Sequence, residues 1–128
     1  MILKRLIISV AFLVFVIVQS SMAFAQDILG QYAIEGINPG TNAKYTGAVM
    51  VGKKGEVYTV GWKIGDQELI GTGLVQGDSF SVVYLPRETK AVPGLVVYTI
   101  MPNGVLVGRF TSYGGSAVGS ETWKPISK

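Results

Sequence analysis

The chain contains no cysteine and no histidine. Without cysteine there is no disulfide, although small exported domains commonly depend on them. There is also no thiolate for nucleophilic or metal chemistry. Without histidine the chain loses the commonest general base, the commonest zinc ligand and the usual pH switch near neutrality. Serine–histidine and cysteine–histidine nucleophile systems are therefore excluded. Basic runs are short, none longer than Lys53-Lys54, so the footprint of a nucleic-acid binder is missing. Acidic residues do not cluster at the alternating spacing of a calcium loop, and no cofactor or metal site is expected. Glycine-rich turns are frequent, but none leads into a helix, so none reads as a phosphate loop.

One long hydrophobic run is present, at the N-terminus. Lys4 and Arg5 precede an apolar stretch from Leu6 to Val18, and Ala23-Phe24-Ala25 follows a polar break. This order is that of a secretory signal peptide cleaved after Ala25. Its 13-residue apolar core falls short of the roughly 20 residues that span a bilayer, so no stable membrane anchor is expected after cleavage. The expected mature chain is one domain, residues 26–128, periplasmic or secreted, and the leader suits a bacterial export substrate. Eleven basic and eight acidic residues give the full chain a net charge of +3. Lys4 and Arg5 belong to the leader, so the mature domain carries nine basic and eight acidic residues and is near neutral. The hydrophobic average is inflated in the same way.

The rest of the chain is punctuated by glycine, 16 of the 17 glycines lying from Gly36 onward. No segment holds a helical period. Eight short runs of β-branched and aromatic residues alternate with turn signals: 30–37, 45–51, 56–64, 68–75, 79–85, 95–101, 105–111 and 117–123, with Pro125 ending the last. Tyr58, Val60, Trp62 and Ile64 share one face of the third run. Phe80, Val82 and Tyr84 are in phase in the fifth, Leu106, Gly108 and Phe110 in the seventh, and Gly119, Glu121 and Trp123 in the eighth. Asn103-Gly104 is a strong hairpin signal. Tight connections make sequence neighbours spatial neighbours. The expected fold is all-β: a small antiparallel eight-stranded up-and-down meander barrel, with a two-sheet sandwich as the alternative. Closure leaves no unpaired edge, which suits a domain held by packing alone. Glycines in mid-strand, among them Gly47, Gly61, Gly71, Gly73, Gly108 and Gly119, fit a sheet that must coil tightly.

Several motifs occur in order: Gly30-x-Tyr32; Gly36-x-Asn38-Pro39; Tyr45-x-Gly47; Tyr58-x-Val60-x-Trp62-x-Ile64-Gly65; Gly71-x-Gly73-Leu74; Val97-Tyr98-x-Ile100; Asn103-Gly104-x-Leu106-x-Gly108-x-Phe110; and Gly119-x-Glu121. With these, nearly all of the mature chain resembles a family of small exported bacterial proteins, many of them labelled fibronectin-binding protein. The resemblance implies adhesion to a host matrix protein. At the level of fold the chain is similar to avidin-like and lipocalin-like barrels, which share the Gly-x-aromatic opening and the Gly-x-Leu-x-Gly-x-aromatic strand. It is shorter than most of these and lacks most of the tryptophans of a biotin site, so biotin binding is not implied.

Tyr58, Trp62, Tyr84, Tyr98, Phe110 and Trp123 either line a barrel mouth, where they would stack on a small ligand, or fill the core. An eight-stranded barrel is just wide enough for either. An interior cavity near roughly 300 Å³ would favour the ligand; a filled interior would favour protein binding through loops. Glu121 faces inward if its strand phase holds, and a buried carboxylate needs a partner. Arg109 on the preceding strand is the candidate, although it is out of phase with Leu106, Gly108 and Phe110. Glu121 is then a polar anchor for a ligand, a structural clamp or an exposed acid. Asp66, Glu68 and Asp78 lie in or beside turns, with no sign of the paired carboxylates a glycosidase needs. Arg87, Glu88 and Lys90 on the longest loop are candidates for a protein contact. The expected function is a non-catalytic binding protein for a protein, glycan or small ligand, with an envelope-associated structural protein or an enzyme inhibitor as the alternative.

Overall fold

The computed structural model describes residues 27–88 and 90–127; the expected signal peptide lies outside them. Eight strands follow in chain order: β1 (Gly30–Ile37), β2 (Lys44–Lys54), β3 (Val57–Ile64), β4 (Gln67–Gln76), β5 (Ser79–Pro86), β6 (Gly94–Ile100), β7 (Leu106–Ser112) and β8 (Gly119–Ser127). Each pairs with the next, and β8 pairs with β1. The sheet is thus a closed antiparallel up-and-down barrel. The alternating faces read from the sequence are those observed, with Val60, Trp62, Phe80, Val82, Leu106 and Trp123 among the buried core.

One expected boundary is corrected. Pro125 does not end β8, which continues to Ser127. Pairing with β7 stops at Leu106–Trp123, so the following residues have only β1 beside them. The β1–β8 register slips between Gln31 and Tyr32, opposite Pro125. A residue without an N–H is accommodated at such an irregularity.

The two ends differ. At one, the β2–β3, β4–β5 and β6–β7 connections are tight, and Gly55, Gly77 and Gly104 turn there with positive φ. The expected Asn103-Gly104 hairpin is present, with Gly104 N–H bonded to the Met101 carbonyl at 2.9 Å. This end is filled: Ile28, just ahead of β1, is buried in the core cluster, and its carbonyl accepts the Tyr32 hydroxyl at 2.7 Å. The other end carries the longer connections, residues 38–43, 87–93 and 113–118.

Several mid-strand glycines do more than let the sheet coil. A β-carbon at Gly36 would overlap the ring of Tyr45, and one at Gly94 would overlap that of Tyr84. Gly108 and Gly119 stand in the same relation to Tyr98 and Phe110. In all four cases the aromatic residue sits directly across from the glycine on the neighbouring strand. The rings therefore lie down over glycine backbone, against the wall, instead of projecting across the barrel. Gly61 differs: a β-carbon there would meet nothing within 4 Å.

Candidate functional site

The open end of the barrel holds a cup of about 280 Å³. Its walls include Tyr45 from β2, Trp62 and Ile64 from β3, Leu69 from β4, Tyr84 from β5, Val96 from β6 and Phe110 from β7. Asn38, Gln67 and Ser112 bring polar groups, and Glu121 from β8 is the one acid. Trp62, Tyr84, Phe110 and Tyr45 form a continuous run of edge-to-face contacts, with centroids 6.1, 6.4 and 6.4 Å apart in that order. Such geometry is the favoured one for neighbouring rings. These rings come from β2, β3, β5 and β7 and so surround much of the cup.

Glu121 is only 5% exposed and is the one charged residue of the described core. The strand register explains how it is served. Glu121 lies directly across from Gly108 on β7 and from Gly36 on β1. Beyond Gly108 stands Tyr98, and beyond Gly36 stands Tyr45. Each tyrosine reaches over its glycine toward the carboxylate from an opposite side. Tyr98 donates to Glu121 Oε2 at 2.5 Å, the short distance of a hydrogen bond to a carboxyl group. Tyr45 approaches more loosely.

Burial pushes Glu121 above its ordinary value of 4.5; the Tyr98 hydrogen bond, followed by Trp123, Trp62 and Tyr45, pulls it back down in part. Trp123 Nε1 points its partial charge at this acid but falls short of hydrogen-bond geometry. Tyr98 and Tyr45 are raised above 10 first by burial and then by the Glu121 charge. Tyr84 is raised by burial, offset in part by Ser112. All three phenols therefore remain neutral donors at physiological pH.

The structure separates the sequence candidates. Trp62, Tyr84 and Glu121 line the cup, and Tyr98 supports Glu121 from the core. Tyr58 does not belong there: it lies toward the filled end, against Phe80 at 5.6 Å, with Lys53 Nζ 5.2 Å from its ring centroid. One expectation about arginine is also corrected. Arg109 is not the partner of Glu121; its position in β7 turns it to the exposed outer wall, and Tyr98 takes the role. Arg87 stays on the surface, where it pairs with Glu68 at 3.4 Å and its N–H extends the ladder to the Glu68 carbonyl. Sequence reasoning missed Tyr45 as a site residue. Its signal was its position opposite Gly36, visible only once the hairpin register is known.

A larger outer depression, about 370 Å³, lies among residues such as Met50, Lys63, Ile70 and Arg87. It has no buried charge, and the smaller cup is the better candidate site. Among the described residues no group of acids is placed to hold a metal ion. No family model matches the chain, and no curated protein matches it.

Proposed function

We propose that this protein is an exported, non-catalytic binding barrel that takes one small ligand into the cup, with Glu121 as the polar anchor. One observation carries the reading: a nearly buried carboxylate stands at a cup that opens at one barrel end only. A core built for stability alone has no need of an acid there, since burying it without a countercharge is costly. The cup's volume is that of about nine water molecules at roughly 30 Å³ each, enough for a ligand of about ten non-hydrogen atoms. Non-catalytic action fits the single carboxylate, because general acid–base hydrolysis of glycosides needs two across a cleft.

The test is an unbiased small-molecule screen by native mass spectrometry, using the purified protein and two rim variants, Asn38→Trp and Ser112→Trp. The wild type is expected to retain a compound that both variants lose. Their stabilities should change by no more than about 0.5 kcal/mol, as is usual for surface positions. Failure to retain any compound, or unchanged retention when the rim is blocked, would contradict the reading.

A second reading, recognition of a protein such as the matrix adhesion implied by the family resemblance, is favoured by a different surface. Ile70, Leu74, Val83, Leu85, Leu95 and Val97 are exposed on the outer wall of β4–β6, and exposed apolar patches often mark interaction sites. Binding there would survive the rim substitutions.

A further inference from the structure

We propose that the ligand is a small organic cation: an ammonium group on a compact apolar or aromatic body. This inference rests on the ligand-binding reading above and names the class of molecule.

Among the described residues Glu121 is the only charged side chain lining the cup, and the groups around its carboxylate are the phenols of Tyr98 and Tyr45 and the indoles of Trp62 and Trp123. These donate hydrogen bonds or partial charge, but none brings a positive charge. The nearby Arg109 faces outward. A buried carboxylate is stable when paired with a cation and well hydrogen-bonded. The protein supplies the hydrogen bonds but no countercharge, and a cationic ligand would complete the pair.

The walls make the same selection. Aromatic rings attract cations through their quadrupoles, and a desolvated site strengthens the attraction. Trp62, Tyr84, Phe110 and Tyr45 give the cup such a lining beside the acid. An anionic ligand would meet the Glu121 charge in a low-dielectric site with no compensating cation. A neutral donor could bond the carboxylate but would leave its charge unbalanced.

The experiment uses three probes of one shape and different charge: benzylamine, benzyl alcohol and benzoate. Each is titrated into the purified protein at pH 8 and followed by tryptophan fluorescence, since Trp62 lines the cup. Benzylamine is expected to bind saturably and at least about tenfold more tightly than benzyl alcohol, a ratio that one favourable charge contact supplies. Benzoate should bind weakest. In Glu121→Gln the preference for benzylamine should disappear while benzyl alcohol binding persists. If benzyl alcohol or benzoate binds as tightly as benzylamine, the cation is ruled out and the cup remains a ligand site; if Glu121→Gln leaves the preference intact, the pairing of the cation with Glu121 is overturned. If none of the three binds the wild type even at millimolar concentration, both the cation and the cup fall.

Discussion

Trp123→Ala is expected to destabilise the protein by about 3–5 kcal/mol, the range for large aromatic truncations in a core. Trp123 is 0% exposed and is the hub of the interior. Its ring lies 4.3 Å from that of Tyr98, 5.3 Å from Tyr32, 6.1 Å from Trp62 and 6.3 Å from Phe80. These partners come from four strands, so no single strand can move in to fill the space. Tyr98 would also lose the surface that holds its hydroxyl toward Glu121. Trp123→Phe separates volume from polarity. It keeps much of the packing and removes an indole N–H that has no partner, so it should cost far less than alanine. Urea unfolding of both variants checks this; equal losses would mean that the indole nitrogen is satisfied or that the ring is not the hub.

Gly108→Ala is expected to cost about 1–3 kcal/mol, the range for overpacking a filled core, although it adds one methyl group. The added β-carbon would overlap the ring of Tyr98, which is itself fully buried. The ring must shift, and its hydroxyl would then move away from Glu121. Gly61→Ala is the control, because a β-carbon there meets nothing within 4 Å. It should change stability little or raise it slightly, since glycine in a strand carries an entropic penalty. Chemical denaturation of the two variants, with the same slope against denaturant, checks the contrast. Equal effects would mean that the glycines serve the bending of the strands and not the seating of rings.

The inward faces of the barrel were legible because residues alternate across a strand with a period of two. The same rule placed Glu121 inward and already set Arg109 on the other face; only the need for a partner argued for the arginine. Alternation gives the face but not the height along the barrel. Tyr58 and Trp62 therefore looked equivalent, yet one lies toward the filled end and the other at the cup. The pairing of aromatic residues with glycines across strands depends on register, which turn lengths fix. Tyr45 and Gly36 are separated by a loop whose geometry a single sequence does not state, so the approach of Tyr45 to Glu121 from the side opposite Tyr98 stayed hidden. Pro125 misled for a related reason: proline is excluded from a strand bonded on both sides, but not from one that has lost a neighbour.

At the centre of the account is a buried carboxylate with no cation beside it among the described residues, which we propose is held for a ligand at some cost to the fold. Burial raises the folded-state pKa of Glu121 above 4.5, so the folded protein holds this proton more tightly than the unfolded chain. By linkage, that contribution to stability is present below the unfolded pKa and is lost as pH rises through the folded one. The other ionisable groups facing Glu121, namely Tyr45, Tyr84 and Tyr98, are all raised above 10 and do not titrate in this window. Glutamine mimics the protonated acid and can accept the Tyr98 hydrogen bond at every pH. The most direct measurement is the melting temperature of wild type and Glu121→Gln from pH 4 to pH 8. The variant is expected to match the wild type near pH 4 and to exceed it at pH 8 by several degrees, a domain of this size moving about 4–8 °C per kcal/mol. A wild type as stable as the variant at pH 8, or more stable, would mean that the protein already balances the charge of Glu121, and would contradict the account.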